Sequence, residues 1–405
     1  MTLPNIDPHN SLPEPDPLAA EHSARLLDKI HCEINENGGA LSFARFMNLA
    51  LYAPGLGYYR AGTRKFGPGG DFITAPELSP LFSRCLARQC REILNQTGGA
   101  ILELGAGTGV MAADILQELR ALDALPERYF ILELSAELRE RQRQTLTERT
   151  PGLVERASWL DALPEPGFRG VILGNEVLDA LPVERFRITA DGPRRLVVVP
   201  DAGDSASRSA ARLAWAEGAE DPAVTEAVAR IETDIGQRLP EAYTSEYAPQ
   251  LAAWTRAVAE PLAAGAVLLI DYGYSRREYY HPERADGTLL CHYRHRVHAD
   301  PLRLPGLQDI TASVDFTAVA DAARAAGLQV IGYASQNYFL FGCGLMELLA
   351  QADAADTVRY LEQVRQVKLL TLPGEMGERF KVIGLTRNLD GPLCGFSFRD
   401  ERYRL

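Results

Sequence analysis

Residues Ala100 to Val110 read AILELGAGTGV, and the fold reading starts from them. Ile101, Leu102 and Leu104 make a short apolar strand; Gly105, Gly107 and Gly109 make a tight turn; VMAADILQELRAL then runs on as a helix. Glycine at alternate positions lets the backbone pass close beneath a ligand, because no Cβ blocks the approach. Strand, turn and helix in that order form the nucleotide-binding corner of an α/β sheet, whose ligands lie beyond the carboxyl ends of the strands. A dinucleotide-binding turn reads G-x-G-x-x-G and would need glycine where Val110 stands.

The turn reads E-x-G-x-G-x-G from Glu103 to Gly109, a form that resembles the cofactor turn of S-adenosyl-L-methionine (SAM) methyltransferases. The resemblance implies that Glu103, Gly105, Ala106, Gly107, Thr108 and Gly109 line a cofactor site. The alternative is an ordinary glycine-bearing loop. Three further apolar runs bear on the choice: YFILELS (Tyr129 to Ser135), GVILGNE (Gly170 to Glu176) and GAVLLIDYG (Gly265 to Gly273). Near-continuous apolar runs are expected of parallel strands buried on both faces. Glu133, with Leu134 beside it, ends the first of them, where an acid accepts the ribose hydroxyls of an adenosine. Polar tips on four strands predict one crevice along one sheet edge.

The chain has 405 residues, 46% of them apolar, enough for one large domain with extensions or for two small ones. Its formal charge of −12 counts against nucleic acid as a main substrate, since phosphate binding needs a basic surface. The six cysteines include no C-x-x-C pair, the pattern of reduced thiols rather than of a disulfide framework or zinc site. No apolar run is long enough to span a membrane. The first Lys or Arg is Arg25, after four acids, which argues against a secretory signal or an Arg-rich presequence and predicts a cytoplasmic protein.

The proline-rich start, residues 1–17, reads as a disordered tail. Residues 18–95 read as a helical extension with an active-site loop: helices from Leu18 to Asn37, Phe43 to Leu51 and Glu77 to Leu94, with the glycine- and aromatic-rich segment Tyr52 to Thr74 between. The methyltransferase-like part, 96–405, carries a hairpin signal at Asp191-Gly192, a surface loop over Ala202 to Asp221 and a long helix over Glu241 to Ala264. Tyr274 to Thr311 has no clean period and is expected as an insertion over the sheet edge, bounded at about 274–312. Phe316 to Ala326 reads as a helix, Leu328 to Ala334 and Phe380 to Arg387 as the last strands, and Met346 to Leu349 as core.

Several longer stretches resemble the MidA-type SAM methyltransferases, the family of a mitochondrial complex I assembly factor that methylates an arginine. They include GLGYY at Gly55, GDFITAPELS at Gly70, LELSAELRERQ at Leu132, GNEVLDALPVERF at Gly174, IDYGY at Ile270 and MGERFKV at Met376. The resemblance covers the chain from about residue 25 onward. One departure is Leu81-Phe82-Ser83, where the family commonly has glycine after the phenylalanine. The resemblance implies a Rossmann-like α/β fold, SAM as cofactor with S-adenosyl-L-homocysteine as product, and a protein substrate.

Arginine stays protonated in water, with a pKa above about 12. Its methylation calls for carboxylates that orient the guanidinium and take or relay a proton. Glu176, just past the GVILGN strand, fits that place, with Asp179 three residues on and Asn175 orienting substrate or SAM. Both acids would instead stabilise a helix N-terminus if one begins there. Asp71 in the GGDF turn can reach over the crevice, or can satisfy its own backbone. Asp271 and Tyr272 are a substrate contact or a loop-initiating pair. Four of the seven histidines fall between His281 and His298, but with no cysteine or acid at metal-ligand spacing, so no metal is expected. The expected function is methylation of a protein arginine. A small-molecule methyltransferase, or a SAM-binding assembly factor without turnover, is the alternative, and a homo-oligomer stays open.

Overall fold

The computed structural model describes residues 12–60, 73–201, 212–351, 353 and 355–405. The chain divides into two compact units, each built from three segments. The first holds the N-terminal residues to Phe72, Asp179–Gln250 and Arg276–Asp315; the second holds Ile73–Leu178, Leu251–Ser275 and Phe316–Leu405. This grouping differs from the linear expectation of an extension followed by one domain. Residues 179–250 and most of the expected insertion join the N-terminal helices.

The second unit is built on a sheet of β1 (Ala100–Leu104), β2 (Tyr129–Leu132), β3 (Ala157–Leu160), β4 (Phe168–Asn175), β5 (Leu262–Tyr274), β6 (Gln329–Ser335) and β7 (Phe380–Arg387). Their order is β3-β2-β1-β4-β5-β7-β6. β1 to β5 are parallel, and β7 runs antiparallel between β5 and β6. From β1 the order runs outward in both directions, so the strand sequence reverses between β1 and β4. A crevice opens at such a switch point, beyond the carboxyl ends. β1 is buried at every position, Glu103 included, as expected of a near-continuous apolar run in a parallel sheet.

The helix Val110–Ala121 packs with Pro80–Thr97 around a core that includes Leu86, Ile93, Ile101, Ile115, Leu119, Val171 and Leu268. The single helix expected over Glu77 to Leu94 is two, Ala75–Leu78 and Pro80–Thr97. Pro80 keeps the residue before it out of the α region, and Ser79 is extended with φ −155°. Leu348 and Leu349 are core as expected, but Met346 is exposed.

In the first unit, the helices Pro17–Glu36 and Phe43–Tyr52 lie close to their expected bounds. A five-stranded antiparallel sheet joins Leu41–Ser42, Gly192–Pro200, Glu184–Thr189, Thr244–Tyr247 and Leu213–Glu217. Thr189 pairs with Gly192, so the Asp191 hairpin forms as expected. Two expectations fail here. Leu213–Glu217 is a strand rather than loop. The helix over Glu241 to Ala264 is a strand, Thr244–Tyr247, followed by a shorter helix, Leu251–Ala259. Pro249 lies between them and cannot sit inside a helix. A three-stranded sheet of Leu290–Tyr293, Arg296–His298 and Asp309–Thr311 orders part of the aperiodic segment.

Candidate functional site

The glycine turn leaves β1 at the switch point. Gly105, Gly107 and Gly109 all have left-handed φ, at 65°, 52° and 83°. Among the described residues, a Cβ on Gly107 would meet no atom within 4 Å, whereas one on Gly109 would stand 3.0 Å from the Gln142 Cα. Gly107 therefore presents bare backbone to the crevice, and Gly109 lets the helix Ala136–Arg149 close against the turn. Ala106 is buried. The Thr108 hydroxyl donates to Glu77, on the short helix Ala75–Leu78.

Glu133 lies just past the tip of β2 and is nearly buried. Its Oε1 accepts the Ser135 N–H at 2.8 Å and its Oε2 accepts Gln142 Nε2 at 3.2 Å. Gln142 Nε2 also donates to the Gly107 carbonyl at 3.0 Å, and its Oε1 accepts the Trp159 indole N–H at 2.8 Å. Leu134 next to Glu133 is exposed. Glu103 is placed differently from the other turn residues. It sits inside β1, fully buried, and accepts the Tyr129 hydroxyl at 2.6 Å. Burial pushes its carboxyl up to about 7.

At the tip of β4, Asn175 Nδ2 donates to Glu176 Oε1 at 2.8 Å. The buried Asn175 Oδ1 has no hydrogen-bond partner among the described residues. Glu176 holds φ 53°, a left-handed conformation uncommon outside glycine, and its N–H donates to Ile270 O at 2.8 Å. The loop continues through Leu178, whose N–H donates to the buried Asp271 carboxylate at 2.9 Å. Asp271 also accepts the Tyr272 N–H, and the Tyr272 ring meets Phe380 edge-on at 5.6 Å. No helix follows β4; the next element is the strand Glu184–Thr189. The alternative that Glu176 and Asp179 stabilise a helix N-terminus therefore has no helix to act on.

Asp179 groups with the first unit rather than with Glu176. Its carbonyl accepts the Ala312 N–H, and its charge acts on Tyr52 and Tyr59, whose hydroxyls burial pushes far above their usual range. The Tyr59 hydroxyl donates to Asp309 at 2.9 Å. Asp71 lies outside the described residues. Among the described residues no group of His, Cys, Asp and Glu is arranged to hold a metal, and His292 and His298 lie on a β-hairpin rather than on a helix. Sequence reasoning missed Gln142, Trp159 and Glu77. The first had a signal: a polar residue spaced by four from Leu138 and Leu146.

These residues fit an adenosyl cofactor. Bare backbone at Gly107, a nearly buried carboxylate past β2 and the Asn175 Oδ1 at the tip of β4, orphaned among the described residues, are what its ribose, amine or methionine end could bond.

Comparisons with known proteins agree. Residues 85–334, more than half of the chain, match the family Methyltransf_28, "Putative S-adenosyl-L-methionine-dependent methyltransferase". The mitochondrial protein arginine methyltransferase NDUFAF7 of Rattus norvegicus is 29% identical over 399 residues, 91% of this chain and 86% of that protein. Its mitochondrial homolog in Drosophila melanogaster is 29% identical over 433 residues, 97% and 93% of the two. A COG1565 superfamily member from Burkholderia thailandensis, solved with S-adenosyl-homocysteine bound, superposes with a TM-score of 0.91 at 43% identity. That match covers 98% of this chain and 100% of the other. The expected cytoplasmic location does not stand, because the curated relatives are mitochondrial. The chain belongs to this family: it is a SAM-dependent methyltransferase that leaves S-adenosyl-homocysteine as product.

Proposed function

We propose that the acceptor is an arginine side chain of a protein, bound beside the tip of β4. The observation that carries this reading is Glu176: a carboxylate at the switch point, on a backbone held at φ 53° by its bond to Ile270. The names of the relatives, protein arginine methyltransferases, support the same acceptor. A non-glycine residue in this conformation costs about 1–3 kcal/mol and persists where the surroundings over-determine it, most often at functional sites.

SAM supplies a methyl group on a cationic sulfur. The chain's part is to hold the acceptor nitrogen in line with that methyl, an effect worth about 7–11 kcal/mol when alignment is good. Glu176 pairs with the guanidinium, orienting it through charge-assisted hydrogen bonds. As the N–C bond forms, the nitrogen gives up a proton, and the Glu176 carboxylate is placed to take or relay it. Asn175 holds Glu176 Oε1 through its Nδ2 and turns its Oδ1 to the cofactor or the acceptor.

The test is incubation of the purified protein with methyl-labelled SAM and a cell extract, followed by mass spectrometry of what it captures. Label in a protein as methylarginine is expected. Label confined to small molecules, or no transfer despite tight S-adenosyl-homocysteine binding, rejects the arginine reading.

A further inference from the structure

The helix Ala136–Arg149 is polar along most of its length, and its buried residues are Leu138, Gln142 and Leu146. Residues four apart share one helix face, so Gln142 occupies a core position between two leucines. A fully buried amide is costly unless its hydrogen-bonding groups are matched. Here they are, through Trp159 on one side and through Gly107 and Glu133 on the other.

The direction of the amide is forced. An indole N–H only donates, so the Gln142 oxygen must face Trp159, and both Nε2 hydrogens are left for the Gly107 carbonyl and the Glu133 carboxylate. A reversed amide would set its oxygen against both acceptors. The Arg143 guanidinium lies over the Trp159 ring, 4.6 Å from its centre, and covers it. A carboxylate offers about four lone-pair directions. Ser135 N–H uses one on Oε1 of Glu133 and Gln142 uses one on Oε2. Among the described residues, one direction then remains on each oxygen, which matches the two hydroxyl donors of a vicinal diol.

We propose that Gln142 is a positioning residue for the cofactor's ribose. Held in one orientation by Trp159, it sets both the Glu133 carboxylate and the Gly107 turn for the 2′- and 3′-hydroxyls. It acts through Glu133, so the inference rests on Glu133 being the ribose acceptor.

The test compares calorimetric affinities for S-adenosyl-homocysteine and for its 2′,3′-dideoxy analogue. The wild type should prefer the natural ligand by about tenfold or more, as expected for hydrogen bonds to a charged group. Gln142→Leu should lose about 10- to 100-fold on S-adenosyl-homocysteine and less than about threefold on the analogue. Trp159→Phe keeps an aromatic ring but removes the indole N–H together with the pyrrole part of the side chain; it should shift the two affinities in the same unequal way, and it carries the test if Gln142→Leu does not fold. Equal losses on both ligands, or no loss on either, would overturn the role of Gln142. A wild type that does not distinguish the ligands would overturn the Glu133 reading, and this inference with it.

Discussion

The Asp271 carboxylate, at the end of β5, accepts the backbone N–H of Leu178 at 2.9 Å, three residues past the end of β4. With the bond from Glu176 N–H to Ile270 O, it fastens the Glu176 loop to β5 at two points. Asp271→Ala would leave the buried Leu178 N–H unsatisfied, at a cost of about 1–3 kcal/mol. We expect a lower Tm, S-adenosyl-homocysteine affinity within a few-fold of wild type, and slower methyl transfer because Glu176 is less well held. Transfer at the wild-type rate would mean that the loop needs no such anchor.

Gly107 tests the cofactor turn. Valine there would place a branched side chain in the crevice at φ 52°, with a strain of about 1–3 kcal/mol. Gly107→Val should fold, with a reduced Tm, and fail to bind SAM in calorimetry. Normal binding would move the cofactor away from this turn.

Val110 stands where a dinucleotide turn has its third glycine. NADH should therefore neither bind saturably nor displace S-adenosyl-homocysteine. Tight NADH binding would show that the turn accepts a pyrophosphate.

Glu103 gives stability a pH dependence with a defined sign. Burial raises its carboxyl from 4.5 to about 7 in the folded chain. Between those values the native state holds a proton that the unfolded state has lost. Stability from this group is present at low pH and falls as pH rises toward 7. Glu103→Gln removes the titration, so its stability should vary less between about pH 5 and pH 8, by up to about 3 kcal/mol. Asp114, also raised by burial, to about 6, contributes equally to both proteins and cancels in the difference. Parallel urea-midpoint curves for the two proteins would refute the buried, protonated Glu103.

Much of the sheet was legible because its cues are local. Near-continuous apolar runs marked β1, β2, β4 and β5, and the glycines marked the turn between β1 and its helix. β3 was missed: its four residues, ASWL, carry too short a pattern to stand out. Thr244–Tyr247 was absorbed into a helix because its partner, Glu184–Thr189, lies far away in the chain. The candidate site divides along the same line. Glu133, Asn175 and Glu176 lie at or just past strand ends and could be named from position alone. Gln142, Trp159 and the anchoring role of Asp271 depend on side chains that meet only once the sheet and helices have packed. The partner of Glu103 was equally out of reach, since the motif position points to the cofactor turn while the fold sets its carboxylate against the Tyr129 hydroxyl.

The central claim is that Glu176 acts on the acceptor, and Glu176→Gln tests it most directly. Glutamine keeps the volume and the bond from Asn175 but removes the charge that, on the proposed reading, pairs with a guanidinium and takes its proton. The measurement is the rate of label transfer from methyl-labelled SAM into protein arginine, beside the S-adenosyl-homocysteine affinity and Tm of the same preparation. Affinity and Tm near wild type with transfer slowed about 10²- to 10⁴-fold is the predicted result. Transfer at the wild-type rate by a variant that binds and melts normally would contradict it.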